Sequence, residues 1–307
     1  MTNHAGALDQ IALITNHFGE YEIFGDVLQD WFRFLGGKPA QVVVVDGGSN
    51  AAALQTARAL QEHKLIDTLD ITPADHRDET MRRETAYIQE YRAGILATRP
   101  YILFFHADTL PYRQGHAEWL TQSIALLQRP DVFAVSGSLN LWCKQHEAWD
   151  GWYWSSKCSL NFALMKRELF LAATDEYAGD FIRSNFRGTN PAAATGQARY
   201  IIEIAFEKYM AHHNCLTLVQ HENAAWTIFH TNARGARLKR VRADFFARKN
   251  IDKYIDAGAN PKLIEPRDAV YYGQPRPSLF KRARIYFGQT RWGPHWRTFK
   301  HKAGLRF

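Results

Sequence analysis

The stretch QVVVVDGGS, residues 41–49, joins four consecutive valines to an Asp-Gly-Gly-Ser turn. A run of β-branched residues that ends in glycines is typical of a strand buried on both faces of a parallel sheet. The next segment, AAALQTARALQEH, is rich in alanine and favours a helix. The stretch therefore predicts one strand–helix unit of an α/β fold, with Asp46 at the carboxyl end of the strand.

The same alternation of strand and helix continues on both sides of this unit. Apolar residues are continuous in the predicted strands and recur every three or four positions in the predicted helices. The predicted strands are IALITNHF (11–18), YILFF (101–105), DVFAVSGSLNLW (131–142) and KCSLNFALMKRELF (157–170), and the predicted helices are EYEIFGDVLQDWFRFL (20–35), 79–97 and 199–210. The aromatic-rich segment EAWDGWYWSS (147–156) is interpreted as a loop. This order predicts a doubly wound, mostly parallel α/β sheet flanked by helices, which binds its ligands at the carboxyl ends of the strands.

Composition limits the class of protein. Of the 307 residues, 46% are hydrophobic and 22% are charged, which excludes a disordered chain. Neither a secretory signal nor an apolar run of about 20 residues is found, so we expect a cytoplasmic protein that can lie on the inner face of the membrane. Three cysteines without CxxC spacing, Cys143, Cys158 and Cys215, are interpreted as reduced thiols.

Positive charge points to a polyanionic partner. The net charge is +7, which suits nucleotide phosphates, an anionic membrane surface or nucleic acid. Basic and aromatic residues are dense after residue 230, so the sequence predicts a domain over 1–230 and a basic, mainly helical extension over 231–307. We expect the extension to pack on the domain.

Acidic residues at two strand ends are the best candidates for chemistry. The chain has no GxxxxGK[ST], GxGxxG, GxSxG or HExxH motif, which argues against kinases, dehydrogenases, hydrolases and zincins. Asp46 can accept hydrogen bonds from a base or ribose, or it can be part of a plain turn. His106 and Asp108 are two positions apart after a strand, so both can face one cation, although Asp108 can instead cap a helix.

The ordered series TNHFGEYE, VVVVDGGS, YRAGI, LFFHADTLP and SLNFALMKRELF, followed by an acidic helix, resembles the family 2 glycosyltransferases with the GT-A fold. The resemblance covers about residues 11–230. It implies transfer of a sugar, with inversion, from a nucleotide-sugar donor such as a UDP- or GDP-sugar to an acceptor hydroxyl. It also implies a Mn²⁺ or Mg²⁺ cofactor. The first aspartate of the family's metal motif is replaced here by His106.

The resemblance assigns roles to individual residues. Asp46 would contact the nucleoside, Asp108 and His106 the metal, and His230 in WTIFHTN would complete the metal site. Glu203 is the expected catalytic base, with Glu207 one helical turn later as the alternative. Each of these residues also has a purely structural interpretation, as a solvated or hydrogen-bonded side chain.

Further candidates surround this set. Thr15 and Arg92 are expected to bind the nucleotide. Arg92 and the upstream Arg82 or Arg83 can meet the diphosphate, because a guanidinium matches phosphate oxygens, or they can be solvated arginines of a helix face. Trp149, Trp152 and Trp154 offer flat faces for a sugar, or they fill the core.

The basic extension bears on the acceptor and on two rival functions. In the main hypothesis the acceptor is a glycan or lipid-linked molecule of the cell envelope, which the extension reaches by contacting the membrane. Nucleic acid is an alternative acceptor. A non-catalytic protein that binds nucleic acid or membrane is the third hypothesis, and it predicts that Asp108 is dispensable.

Overall fold

The structure is a computed structural model that describes residues 4–72, 86–113, 118–137, 146–149, 152–184, 201–220 and 226–249. The described residues form eight helices and eleven strands. The helices are α1 (His4–Leu8), α2 (Tyr21–Leu35), α3 (Ala51–Glu62), α4 (Ala86–Leu96), α5 (Glu118–Leu126), α6 (Arg167–Arg183), α7 (Ile201–His213) and α8 (Gly235–Phe246). The strands are β1 (Ile11–His17), β2 (Gln41–Asp46), β3 (Thr68–Ile71), β4 (Tyr101–Phe105), β5 (Thr109–Arg113), β6 (Val132–Gly137), β7 (His146–Trp149), β8 (Trp152–Ser155), β9 (Phe162–Lys166), β10 (Leu216–Gln220) and β11 (Trp226–His230).

Nine strands form the central sheet, in the order β3-β2-β1-β4-β9-β6-β10-β8-β7. Parallel pairing joins β3, β2, β1 and β4, and it also joins β6 to β10. Strand β9 runs antiparallel between β4 and β6, and β8 runs antiparallel to β10. The predicted α/β architecture with a mostly parallel sheet flanked by helices is thus confirmed.

Alternate side chains of the central strands lie in two separate hydrophobic cores, one on each face of the sheet. In β1, Ile11 and Leu13 lie in one core and Ala12 and Ile14 in the other. The first core includes the apolar face of α2 together with α5, and the second includes α4, α6 and α7. Burial on both faces explains why the central strands are continuously apolar rather than alternating in polarity.

A small second sheet pairs β5 with β11, and α8 packs beside it. Leu238, Val241 and Phe245 of α8 are buried with Leu110 and Phe229 of the two strands. The first part of the basic extension, up to residue 249, therefore packs on the residues before 231. Residues 250–307 lie outside the described part of the chain.

Two segments differ from their predicted structures. The interpretation of residues 147–156 as a loop is wrong, because β7 and β8 pair there as an antiparallel hairpin at the sheet edge. The predicted strand 157–170 is short, since β9 ends at Lys166 and α6 begins at Arg167. Aromatic density hid the strand pattern of the hairpin, and a buried apolar run gives no signal for the change from strand to helix.

Among the helices described here, none is long and apolar enough to cross a membrane. Cys158 and Cys215 are buried and form no disulfide within the described residues. Cys143 lies outside the described residues.

Candidate active site at the carboxyl ends of the strands

The Asp46 carboxylate organises the loop after β2. Its Oδ1 accepts hydrogen bonds from the backbone N–H groups of Gly48 (2.6 Å) and Ser49 (2.7 Å). Its Oδ2 accepts from the Tyr21 hydroxyl at 2.9 Å and from the Ser49 hydroxyl. The buried carboxylate is thus held by four donors from the protein itself, and a contact with a nucleoside remains a prediction.

Each of the two glycines of this loop is required for a different structural reason. Gly48 has a φ of 92°, a conformation that residues with a Cβ rarely adopt. A Cβ on Gly47 would lie 2.7 Å from Nε2 of Gln89 in α4. The Asp-Gly-Gly-Ser motif therefore combines a left-handed turn with a close approach of α4.

The other residues predicted to bind the nucleotide contact protein groups in the structure. Thr15 is fully buried in β1, and its hydroxyl lies 3.1 Å from the Asn16 carbonyl oxygen. Arg92 makes an ion pair of 2.6 Å with Asp70 of β3. Arg92 thus bridges α4 and the sheet edge, and its role toward a phosphate remains a prediction. Arg82 and Arg83 lie outside the described residues.

Asp108 and His230 are adjacent, although 122 positions separate them in the sequence. Strand pairing places His230 opposite Thr109, the residue after Asp108. The distance from His230 Nε2 to Asp108 Oδ2 is 3.2 Å. Burial alone would raise the pKa of Asp108, but the hydrogen bond with His230 and the charges of His230 and His106 lower it overall. Asp108 is therefore held as a carboxylate beside an imidazole.

Backbone contacts fix the position of Asp108. The Thr231 N–H and hydroxyl both donate to the Asp108 carbonyl oxygen, at 2.9 and 2.7 Å. The Thr109 N–H donates to the His106 carbonyl oxygen at 3.0 Å and closes the turn after β4. Rigid turns of this kind hold a ligand set in place before any ion or substrate binds.

His106 faces a residue that the sequence did not single out. Its Nε2 lies 3.5 Å from Oε1 of Glu90 in α4, and this buried nitrogen has no hydrogen-bond partner within the described part of the chain. Burial would lower the pKa of His106, yet the Glu90 carboxylate, and then Asp108 and Glu203, raise it overall. His106 therefore contacts one carboxylate, that of Glu90, and feels the charge of two others, those of Asp108 and Glu203.

Glu203 lies in the first turn of α7 and has the environment of a general base. Burial, and then repulsion by Glu90, raise its pKa to about 7. The Leu160 N–H donates to Glu203 Oε1 at 3.1 Å, and the His106 charge acts in the same direction, toward a lower pKa. Glu207 is different, because its half-exposed carboxylate lies 3.8 Å from Lys157 Nζ. Of the two candidates, Glu203 has the environment suited to proton transfer.

The segment before β9 connects Glu203 to the metal candidates. The Asn161 carbonyl oxygen accepts from the His106 N–H at 3.3 Å. Ser159, two residues earlier, acts to lower the pKa of Glu203. Neither Glu90 nor Ser159, Leu160 and Asn161 of this segment was predicted as a site residue from the sequence. Within the described residues Glu90 is one of three buried acidic side chains, with Asp30 and Asp46.

The three tryptophans form one cluster in the β7–β8 hairpin. The ring centroids of Trp149 and Trp154 are 5.9 Å apart, and the Arg129 guanidinium lies 5.1 Å from the Trp149 centroid. Trp152 is buried in the main core, while the other two are partly exposed. A sugar platform can therefore use Trp149 and Trp154, and this role remains a prediction.

Comparisons with known proteins give similarities of fold. No protein-family model and no curated protein matches the chain. Among solved structures, the chain is similar in fold to a mannosyltransferase. This is PcManGT from Pyrobaculum calidifontis, in complex with GDP-Man and Mn²⁺, with a TM-score of 0.36, 14% identity and coverage of 84% of this chain and 88% of that one.

A second similar structure is TarS of S. aureus, with a TM-score of 0.44 and 10% identity. The alignment covers 84% of this chain but 44% of TarS, so the chain spans less than half of that protein. At these identities and TM-scores, the function has to be argued from the site itself.

Proposed function

We propose that the chain is a metal-dependent glycosyltransferase of the GT-A type, which moves a sugar from a nucleoside-diphosphate donor to an acceptor hydroxyl. The observation that carries the proposal is the close Asp108–His230 pair, together with a part-buried Glu203 that, like Asp108, interacts electrostatically with His106. The pair can hold a cation and Glu203 can accept a proton. These are the two tasks that transfer to a hydroxyl requires.

The Asp108–His230 pair fits a divalent cation. Two ligands at about 2.1 Å from one ion, at roughly right angles, lie about 3 Å apart, and the observed separation is 3.2 Å. Bound Mn²⁺ or Mg²⁺ would contact the diphosphate and neutralise its charge as it leaves. His106 Nε2 points to Glu90 rather than to the Asp108–His230 pair. We therefore assign His106 a secondary role, either as a further metal ligand or as a cation that faces the phosphates.

Glu203 would act on the acceptor. Its pKa of about 7 allows it to be ionised near neutral pH and still be basic enough to take a proton. In the proposed reaction, Glu203 removes the proton of the acceptor hydroxyl as that oxygen bonds to the anomeric carbon. The bond from this carbon to the diphosphate oxygen breaks at the same time, so the configuration is inverted.

Exposed basic residues of the extension suggest where the acceptor lies. Arg234, Lys239 and Arg240 are exposed around α8, and the Phe246 side chain is 50% exposed. Each basic residue contributes about 1 kcal/mol to binding near an anionic leaflet. We propose a lipid-linked or envelope glycan acceptor. Salt-sensitive binding to oligonucleotides rather than to anionic vesicles would favour a nucleic-acid acceptor instead.

Turnover of a panel of UDP- and GDP-sugars tests the proposal, with Mn²⁺ or Mg²⁺ and with release of the nucleoside diphosphate as the readout. Glu203→Gln should reduce turnover by about 100-fold or more while the donor Kd stays unchanged. The control Glu207→Gln, one turn away and half-exposed, should retain turnover. Retained turnover in Glu203→Gln, or no turnover of any donor, would contradict the proposal.

A further inference from the structure

We infer that Glu176, His212 and His213 form a second metal site, for a transition-metal dication such as Zn²⁺, on the surface formed by α6 and α7. The inference is independent of the proposed function, because the candidate active site contains none of these residues. Glu176 lies in the middle of α6, and the two histidines are the last residues of α7. One ligand atom from each side chain lies within 4.8 Å of the others.

The donor set and its spacing match zinc. Glu176 Oε1 is 3.0 Å from His212 Nδ1, and Glu176 Oε2 is 3.0 Å from His213 Nε2. Ligands at about 2.0–2.2 Å from a tetrahedral Zn²⁺ lie roughly 3.3 Å apart, so a small movement admits the ion. Two imidazole nitrogens and a carboxylate also suit zinc better than magnesium or calcium, which prefer oxygen ligands.

Neighbouring aromatic residues hold the two rings. The His213 ring stacks on Tyr209 with a centroid distance of 4.0 Å, and the Tyr177 hydroxyl lies 2.8 Å from His212 Nδ1. Water can supply the fourth ligand.

A metal at this site would connect the two helices. Glu176 and the histidine pair come from different helices, so one ion would link α6 to the carboxyl end of α7. Glu203 lies in the first turn of the same α7. Zn²⁺ bound here would therefore brace the helix that carries the proposed base, without contacting the substrate.

Zinc titration by calorimetry tests the site, using the full chain without a polyhistidine tag. Asp108→Asn is the parent protein, because it removes a carboxylate ligand from the other candidate metal site. We expect this parent to bind one Zn²⁺, with at least a tenfold loss of affinity after Glu176→Gln or after the pair His212→Ala and His213→Ala. His63→Ala, which removes an exposed histidine of the α3 end, is the matched control and should leave the affinity unchanged.

Thermal unfolding without zinc shows whether each variant folds like the parent. Equal zinc affinity in the parent and in the Glu176→Gln and double-histidine variants would overturn the inference, as would a parent that binds no Zn²⁺. A loss of affinity in His63→Ala as large as that in the double-histidine variant would overturn it as well.

Discussion

At the scale of single residues, Glu203 has the environment with the clearest physical consequences. Its pKa rises from 4.5 to about 7 because burial and the Glu90 carboxylate both disfavour its charge. The folded state therefore holds a proton on Glu203 between pH 4.5 and 7 that the unfolded state has lost. Stability falls as the pH rises through this window and stays lower above it, so a base with a raised pKa reduces the stability of the fold.

Removing this charge should stabilise the folded state at high pH. Glu203→Gln is expected to raise the free energy of unfolding at pH 8 by about 1–3 kcal/mol, because the neutral amide is not penalised by burial or by Glu90. Near pH 4 the two proteins should be similar, since Glu203 is protonated there in the folded state. Urea denaturation at both pH values measures this, and a variant that is less stable than the wild type at pH 8 would contradict the account.

Residues that define a motif were easier to predict than residues that only pack beside it. Asp108 and Glu203 were predicted from the order of the motifs along the chain, and their roles stay predictions. Glu90 does not, because its proximity to His106 depends on how α4 packs against the turn after β4. Asp46 was predicted as a site residue, but no pattern in the sequence indicates that Tyr21 and Ser49 hydrogen-bond to its carboxylate.

At the scale of elements, the contact between α4 and α6 depends on a glycine. A Cβ on Gly94 of α4 would overlap the ring of Phe170 in α6. This ring is fully buried and packs against Phe104 and Phe206, so it has little room to move. The YRAGI segment, quoted above for its resemblance to a family motif, thus also has a packing reason for its glycine.

Gly94→Ala should therefore destabilise the fold by roughly 1–3 kcal/mol, in spite of the higher helix propensity of alanine. Thermal or urea unfolding of the variant measures this. Ala97, directly after α4, allows the reverse substitution to be compared. Ala97→Gly removes a buried methyl group and creates no clash. A Gly94→Ala variant as stable as the wild type would show that α4 and α6 are further apart than described here.

Elements with strong periodicity were predictable, and elements at the sheet edge were not. The apolar face of α2 and the valines of β2 are local patterns that indicate a helix and a strand without reference to the rest of the chain. The β7–β8 hairpin was missed because pairing with β10, which is distant in sequence, makes strands of residues that resemble a loop.

At the scale of the whole molecule, α8 joins the start of the basic extension to α2. The Arg242 guanidinium donates to both carboxylate oxygens of the buried Asp30, at 2.6 and 2.9 Å, and to Asp26 at 3.2 Å. Ion pairing with Asp30 raises the pKa of Arg242. The extension is thus attached through an apolar contact and a bidentate ion pair.

Arg242→Ala should destabilise the folded state by roughly 2 kcal/mol, because a buried carboxylate loses a charged partner. Arg242→Lys should restore only part of the loss, since lysine lacks the bidentate geometry. Arg240→Ala, at an exposed position of the same helix, should change the stability by less than about 0.5 kcal/mol. Chemical denaturation compares the three, and equal effects of Arg242→Ala and Arg240→Ala would refute this role.

The central claim is that Asp108, in the turn between β4 and β5, binds a metal that holds the donor diphosphate. Thermal unfolding of the full chain with UDP, GDP or CMP, each with Mn²⁺ or with EDTA, tests it most directly. One nucleotide should stabilise the protein only with Mn²⁺, by about 2.7 kcal/mol at a hundred times its Kd. Asp108→Asn should abolish this shift, while the control Asp131→Asn, at a surface ion pair, should keep it. No shift with any nucleotide, or an unchanged shift in Asp108→Asn, would contradict the claim.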